Sequence, residues 1–334
     1  MATIYKGSES DLFFLSDRLR AGELVAVPTE TVYGLAANAL NPDACARIFE
    51  AKGRPVYDPL IVHVTGQTAA CAIAAMNVSA HALAAHFWPG PLTLILPKTP
   101  AIPDIVTSGR PTVAVRAPAH PLMRALLERC GLPLAAPSAN PFGYVSPTTV
   151  AHVQEGLGDR IEHILDGGPC RIGVESTIID VREMADPVIL RPGGVAHEAL
   201  EHVLGRRVRF HKPAEKSTPQ ARDPIGELAP GMLDRHYSPR TPLEVRPELF
   251  APAELSEVPA GVARVCIARP RDAAKSSGIF WLSETGDLDE AARRLFSLMR
   301  ELDAAGYARI EFEPAPATAL GLAINDRLRR ASAR

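Results

Sequence analysis

The side chains best suited to chemistry stand at or beside the ends of apolar runs. The cations are Lys52, Arg54, Arg116 and Arg191, the hydroxyls are Thr31, Thr112, Ser138, Ser146 and Ser176, and Asn140 and His63 complete the set. Guanidinium, ammonium and hydroxyl groups together suit a ligand with several negative groups, such as a nucleoside triphosphate and a carboxylate. They suit a nucleophilic triad less well, because no acidic residue is spaced to serve His63.

Several familiar catalytic motifs do not occur in the sequence. It contains no G-x-x-x-x-G-K-[ST], no G-x-G-x-x-G that opens a helix, no G-x-S-x-G and no H-E-x-x-H. The sequence therefore does not predict a P-loop, a dinucleotide-binding fold, the nucleophile elbow of a hydrolase or a zinc protease.

Five predicted strands deliver polar side chains at one of their ends. The side chains are Thr31 after the run 24–27, Arg116 in the run 112–118, Ser138 after 134–136, Ser176 at the start of 176–181, and Arg191 after 188–190. Because open α/β sheets bind ligands at the ends of their strands, we predict that these side chains share one pocket.

Local alternatives exist for several of the candidate residues. The residues after strand 24–27 also fit an ordinary turn, and Arg116 could pair with a protein carboxylate instead of a ligand. Lys52 and Arg54 follow a predicted helix, 42–52, where cations favour the C-terminal dipole. Ser146 and Pro147 predict the N-cap and first residue of a helix that runs to about Glu155, either as an anion site or as a simple cap.

Length and composition favour a globular protein with two domains. The chain has 334 residues, of which 46% are hydrophobic and 22% charged, and single cores stop growing near ~250 to 300 residues. No apolar run approaches the ~20 residues of a membrane helix, and no secretory leader is visible, so we expect a cytoplasmic protein without membrane contact. The five cysteines form no C-x-x-C pair, so neither a disulfide framework nor a zinc site is expected, and Cys170 is interpreted as a bystander.

Charge and periodicity divide the chain into three segments. Residues 1–205 hold 15 Lys and Arg against 20 Asp and Glu, residues 206–240 hold 8 against 4, and residues 241–334 hold 13 against 14. We predict a catalytic α/β domain over 1–205, a basic, proline-rich linker or lid over 206–240, and a smaller α/β domain over 241–334. The last has predicted strands 263–268, 279–282 and 309–312 and helices 288–304 and 318–330.

Five motifs in this order resemble one known family. They are Pro28-Thr29-Glu30-Thr31-Val32-Tyr33-Gly34-Leu35, Lys52-Gly53-Arg54, Ser138-Ala139-Asn140, Gly173-Val174-Glu175-Ser176-Thr177, and the linker's Pro230-Gly231 with His236-Tyr237-Ser238-Pro239. The chain resembles the Sua5/YrdC family of L-threonylcarbamoyladenylate synthases in its long form. The resemblance implies an N-terminal YrdC-like domain with a twisted mixed sheet and flanking helices, and a smaller Rossmann-like C-terminal α/β domain.

The resemblance also implies a reaction. L-threonine, bicarbonate or CO2, and ATP give threonylcarbamoyl-AMP and pyrophosphate, a nucleotidyl transfer that serves t6A modification at position 37 of tRNAs reading ANN codons. The product would pass to tRNA threonylcarbamoyltransferase machinery. Magnesium is expected on the phosphates, with no protein metal ligands.

Site residues carry over by motif. The threonine side is assigned to Thr31, His63, Arg116, the backbone at Ala136, and Ser176. The ATP side is assigned to Lys52, Arg54, Asp58, Thr112, Ser138, Asn140, Ser146, Arg191 and Tyr237. Among these, Lys52, Arg54, Ser138 and Asn140 are expected to contribute most to catalysis, by orientation and charge neutralisation.

Two other functions fit parts of the pattern. A double-stranded RNA or tRNA-binding module without synthase activity is one, but the acidic excess of residues 1–205 disfavours RNA affinity as the main activity. Weak tRNA binding remains compatible with a synthase. Carbamoyl adenylation for hydrogenase maturation is the other, and the chain shows neither the acylphosphatase-like region nor the paired cysteines of such proteins.

Overall fold

The computed structural model describes residues 1–211, 236–271 and 277–333. The strands are β1 (Thr3–Tyr5), β2 (Val25–Val27), β3 (Gly34–Asn38), β4 (Ile61–His63), β5 (Leu92–Pro97), β6 (Thr112–Arg116), β7 (Leu134–Ala135), β8 (His163–Leu165), β9 (Thr177–Asp180), β10 (Val188–Arg191), β11 (Arg209–Phe210), β12 (Leu243–Val245), β13 (Val262–Ala268), β14 (Ile279–Ser283) and β15 (Arg309–Phe312). The helices are α1 (Glu9–Arg20), α2 (Pro42–Lys52), α3 (Gln67–Cys71), α4 (Val78–Phe87), α5 (Asp104–Thr107), α6 (Pro121–Cys130), α7 (Val150–Leu157), α8 (His197–Leu204), α9 (Pro252–Ser256), α10 (Leu288–Ala304) and α11 (Leu320–Ser332).

The larger sheet is mixed, as the sequence predicted. Its eleven strands follow the order β1-β8-β2-β3-β7-β4-β6-β5-β9-β10-β11. It contains parallel pairs, such as β4 with β6, and antiparallel pairs, such as β5 with β6. Strand β11 lies within residues predicted to be linker, yet it pairs with β10 and so extends this sheet.

Helices cover both faces of the larger sheet, because successive residues of its strands point to opposite faces and are apolar on both. Val25 and Val27 pack in a core with residues of α1 and α6, whereas Ala26 belongs to the core on the other face with residues of α2 and α4. Burial on both faces explains why strand β2 reads as a continuous apolar run.

Helix α2 illustrates how local sequence sets an element's bounds. The Asn41 side chain accepts hydrogen bonds from the backbone N–H groups of Asp43 and Ala44, and the helix ends at Gly53, whose φ is 63°. A left-handed residue after the last turn favours glycine. Both ends match the sequence prediction, and the turn that follows carries Arg54 toward the centre of the sheet.

The predicted helix start at Ser146 and Pro147 is wrong. Helix α7 begins at Val150, and the Thr149 side chain accepts a hydrogen bond from the His152 N–H. Ser146 instead donates its hydroxyl hydrogen bond to Glu175, at 2.6 Å. The local Ser-Pro pattern does not begin the helix for two reasons. Thr149, three positions later, caps it instead, and the buried Glu175 carboxylate from a distant loop takes the Ser146 hydroxyl as its partner.

The smaller sheet is entirely parallel and has the order β12-β15-β13-β14. The three strands and two long helices predicted here are present, and β12 and α9 are additional elements. Helices α10 and α11 pack on this sheet through an apolar core that contains Leu295, Phe296, Ile310 and Leu328. This confirms a second, smaller α/β unit.

The two halves of the chain share an apolar core. Val32, Val145 and Val174 belong to the same buried cluster as Phe296 of α10. At Gly173, with φ of 84°, an added Cβ would lie 2.4 Å from the Arg293 Cα, so only glycine permits this approach. The division at residues 205 and 241 stays a prediction, and residues 212–235 of the predicted linker lie outside the described ranges.

Across the described ranges, no helix has the length and apolar character needed to cross a membrane.

Candidate active site

Strand ends of the larger sheet converge on a narrow cavity of about 40 Å³. Nine of the residues predicted from sequence line it: Thr31, Arg54, His63, Arg116, Ala136, Ser138, Ser176, Arg191 and Tyr237. Residues from distant parts of the chain therefore meet at one place, and the plain-turn interpretation of the loop after β2 is wrong.

Arg116, at the end of β6, is held by three protein groups. Its guanidinium lies 2.7 Å from Glu30 Oε1, and it donates hydrogen bonds to Thr31 Oγ1 (2.9 Å) and to the Gly90 carbonyl (3.2 Å). Burial raises the pKa of Glu30, but the Arg116 charge and the hydrogen bonds to this carboxylate together outweigh burial and hold that pKa below its usual value. Arg116 therefore does pair with a protein carboxylate, which was one of the two alternatives that the sequence allowed. This pairing fixes the direction in which the guanidinium points.

His63, at the end of β4, is buried and neutral. Burial, reinforced by the Arg116 charge, lowers its pKa to about 3. Its Nδ1 atom has no hydrogen-bond partner among the described residues. A neutral imidazole beside a guanidinium can orient a polar ligand without adding charge to the site.

The burial of His63 predicts a pH-dependent stability. The unfolded imidazole titrates near 6.5 and the folded one near 3, so the contribution to the free energy of unfolding is fully present above pH 6.5. It is lost as pH falls toward 3, at about 1.4 kcal/mol per pH unit for one proton. Denaturant titrations at pH 7, 6 and 5 should show a smaller loss for His63→Gln than for wild type. Exposed His81→Gln is the control, and equal slopes for wild type and His63→Gln would contradict this.

Lys52 is the last residue of α2, and Arg54 lies on the turn that follows. Lys52 Nζ donates to the carbonyls of Ser138 (2.6 Å) and Asn140. Arg54 pairs with Asp58 Oδ1 at 2.9 Å and donates to the Asp58 and Pro59 carbonyls. Burial lowers the pKa of Lys52 well below its usual value, and the Arg54 charge adds to this effect.

Ser176 and Arg191 form a second cluster beside the first. The Ser176 and Thr93 hydroxyls lie 2.7 Å apart, and Arg191 donates to the Ser176 carbonyl at 3.1 Å and to its hydroxyl at 3.3 Å. Next to them, Glu175 accepts from Ser146 at 2.6 Å and from Arg327 of α11 at 2.7 Å. The smaller α/β unit thus reaches the lining of the cavity.

Tyr237 and His236 cover the cavity. Tyr237 is 1% exposed with φ of 63°, and its ring stacks on Phe296 at 5.6 Å between ring centres. Its hydroxyl and the His236 Nδ1 have no hydrogen-bond partner among the residues described. Polar atoms buried without a partner point to a ligand that is bound during function.

Two family models together match nearly the whole chain. One, described as "Telomere recombination" and built on Sua5, YciO and YrdC proteins, matches residues 17–193, and one described as "Threonylcarbamoyl-AMP synthase, C-terminal domain" matches residues 195–333. The chain belongs to the Sua5/YrdC family. The long-form resemblance seen in the sequence is confirmed, since both models match in order.

Relatives of this Sua5/YrdC chain carry a shared name. The threonylcarbamoyl-AMP synthase of Pyrococcus abyssi is 43% identical over 329 residues, 94% of this chain and 92% of its own. That of Bacillus subtilis is 42% identical over 322 residues, 94% and 90% of the two chains. The crystal structure of P. abyssi Sua5 complexed with L-threonine superposes with a TM-score of 0.87 at 41% identity, covering 99% of this chain and 97% of that one.

Five predicted residues of this Sua5/YrdC chain do not line the cavity. Lys52 and Asn140 lie behind the Ser138 turn, Asp58 behind Arg54, and Ser146 behind Glu175. Thr112 begins β6, on the face of that strand that also carries Arg116, and its buried hydroxyl has no partner among the described residues. Their assignments stay predictions.

Sequence reasoning did not assign Thr29, Glu30, Glu175 or His236 to the site, although all four contribute to the lining or pair with it. Each lies inside a motif quoted for the family. Because a site for an anionic ligand favours cations, the sequence gives no reason to place two carboxylates in it. In the structure these carboxylates fix Arg116 and Arg327.

The residues around the cavity fit a magnesium ion held chiefly by phosphates. The one group of three His, Cys, Asp or Glu side chains close enough to share a metal, within the described part of the chain, is Glu23, Glu162 and His163, which do not line this cavity. Asp58 Oδ2 is buried and has no hydrogen-bond partner among the described residues, so it could bind a metal-bound water.

Proposed function

We propose that this chain joins L-threonine, bicarbonate or CO2, and ATP to form threonylcarbamoyl-AMP and pyrophosphate. The observation that carries the proposal is the convergence of three buried guanidinium groups, from Arg54, Arg116 and Arg191, on a cavity also lined by hydroxyls. Such a site is built for a ligand with charges at several positions. Its family, and the shared name of full-length relatives, support the same reaction.

Arg116 would bind the threonine carboxylate. A guanidinium has five N–H groups. Arg116 donates one to Thr31 and one to the Gly90 carbonyl, and its ion pair with Glu30 lies on the third nitrogen, so N–H groups are left for a carboxylate. Thr31 and Ser176 would face the threonine hydroxyl, with neutral His63 beside them. The backbone of Ala136 would accept a hydrogen bond from threonine through its carbonyl oxygen, because its N–H already donates to the Ile61 carbonyl.

ATP would lie between the clusters of Arg54 and Arg191. These two guanidinium groups would neutralise phosphate charge directly, with Ser138 donating a hydrogen bond. Lys52 would act partly through the carbonyls of Ser138 and Asn140, which it holds in place. Thr112, Ser146, Asp58 and Tyr237 complete the proposed ATP side, and bound magnesium would supply further neutralisation of the phosphates.

The chemistry requires positioning more than proton transfer. The threonine nitrogen adds to CO2 with loss of a proton, or reacts with bicarbonate with loss of water, and becomes a carbamate. An oxygen of the carbamate attacks the α-phosphorus, and the bond from that phosphorus to the oxygen it shares with the β-phosphorus breaks, so that pyrophosphate leaves. Because the carbamate is already anionic, no general base is needed at this step. Fixed cations and an aligned nucleophile provide the rate enhancement.

We assign the product to t6A formation at position 37 of tRNAs that read ANN codons. The acyl adenylate is a reactive mixed anhydride, so a tRNA threonylcarbamoyltransferase must consume it. A cytoplasmic location agrees with this use.

Replacing Tyr237 by alanine is expected to lower kcat/KM for ATP by about tenfold or more, because a buried ring that covers the site is lost. Tyr237→Phe keeps the ring and should lose only a few-fold. Steady-state pyrophosphate release measures both. An unchanged rate in Tyr237→Ala would mean that this segment is only a tether.

The proposed function is tested by pyrophosphate release from ATP with each substrate omitted in turn. Release should depend on both L-threonine and bicarbonate. A protein that released none, yet bound tRNA with a steep salt dependence, would instead be the RNA-binding module.

A further inference from the structure

Arg327 of α11 is a fully buried arginine that the proposed reaction does not use. Its side chain is 0% exposed. It comes from the smaller α/β unit, yet it donates to Glu175 Oε2 at 2.7 Å and to the Pro192 carbonyl at 2.8 Å, both in the larger unit. A long-range contact of this kind places a C-terminal cation directly behind the cavity lining.

The two contacts that Arg327 makes across to the larger unit lead to groups on the proposed ATP side, whereas its ion pair with Asp326 Oδ2, at 2.9 Å, stays within α11. Glu175 accepts the Ser146 hydroxyl with its other oxygen, at 2.6 Å. Pro192 follows Arg191 in the chain. The guanidinium carbon also lies 5.3 Å from the centre of the Tyr237 ring, which is stacked on its other neighbour, Phe296.

The proposed threonine side is held by other residues. Thr31 is bonded to Thr29 and Arg116, and Arg116 is paired with Glu30. The Ser176 hydroxyl contacts Thr93 and accepts a hydrogen bond from Arg191. None of these contacts includes Arg327.

We propose that Arg327 is a positioning residue that makes the smaller α/β unit part of the ATP site. The inference rests on the proposed function. Arg327 fixes Glu175, the segment after Arg191 and the Tyr237 ring, and through them it orders the groups that bind ATP. This gives the C-terminal unit a role in nucleotide binding, with no contact between Arg327 and the reacting atoms.

The test uses separate calorimetric titrations of the full chain with a non-hydrolysable ATP analogue and with L-threonine. Arg327→Met should weaken the ATP analogue at least tenfold and change L-threonine affinity less than threefold. Adding Glu175→Gln should recover at least threefold of the ATP loss, because it removes the carboxylate left without its cation. Arg329→Met is the matched control, since Arg329 lies on the same helix, is 56% exposed and pairs with Asp326.

An equal loss of both affinities, or no loss, would overturn the proposal, because a merely structural role moves both or neither. If Arg327→Met fails to fold, Arg327→Lys decides in the same way, since a single ammonium cannot serve Glu175, Pro192 and the Tyr237 ring together. A wild-type protein that binds both ligands but releases no pyrophosphate would refute the proposed function alone. Equal losses in a pyrophosphate-releasing enzyme would refute the role of Arg327 alone.

Discussion

Replacing Arg116 by lysine is expected to raise the KM for L-threonine by about 10- to 100-fold, while the affinity for an ATP analogue changes less than about threefold. Lysine keeps a positive charge for Glu30, which lies 2.7 Å from the guanidinium, but it cannot present two parallel N–H groups to a carboxylate. A charge-assisted hydrogen bond contributes about 1.5 to 3 kcal/mol, which corresponds to this range of affinity. Arg116→Ala should show the same preference more strongly, at a cost in stability from the unpaired Glu30.

Arg191→Lys provides the mirrored control for that experiment. Arg191 is also buried at a strand end and is assigned to the proposed ATP side, although it donates to the carbonyl and hydroxyl of Ser176. Its replacement should weaken ATP more than L-threonine. Equal losses of both substrates in Arg116→Lys would contradict the assignment of Arg116 to the threonine carboxylate.

Replacing Lys52 by methionine is expected to lower kcat/KM for ATP by about 100- to 1,000-fold, the size typical of a lost electrostatic contact in a preorganised site. Methionine fills the same space but cannot donate to the Ser138 and Asn140 carbonyls. Steady-state kinetics measure the loss, and thermal unfolding measures the accompanying cost in stability, because the Ser138 and Asn140 carbonyls lose this donor.

Lys98→Met is the matched control for Lys52→Met. Lys98 is also largely buried, but it pairs with Asp104 and bonds the Ile102 carbonyl, and neither it nor Asp104 lines the cavity. Its replacement should leave kcat/KM within about twofold, as expected for a site outside the machinery. A rate within threefold of wild type in Lys52→Met would contradict the role of Lys52.

Local sequence was sufficient to predict those elements whose bounds depend on residues that are neighbours in the chain. Helix α2 has the bounds that Asn41, Pro42 and Gly53 predict, and α10 has the bounds predicted by its apolar stripe. The convergence of strand ends followed from the apolar runs and the geometry of α/β sheets. By contrast, β12 has three residues at a sheet edge, too few for periodicity to show.

The pairings inside the site could not be predicted in this way. Glu30 and Arg116 are far apart in sequence and meet only after the larger sheet has formed, and Glu175 and Arg327 meet only after both halves of the chain have packed. The same long-range packing draws Ser146 to Glu175 and away from the helix that its Ser-Pro pattern predicted. Sequence therefore predicted which residues gather, and the structure shows which of them fix the others.

The most direct test of the account is mass spectrometry of the product formed from ATP, L-threonine and ¹³C-labelled bicarbonate. The account predicts a threonylcarbamoyl-AMP ion that carries one labelled carbon, formed together with pyrophosphate and missing when any one substrate is left out. Hydrolysis of ATP without a labelled adenylate, or no reaction under these conditions, would contradict it.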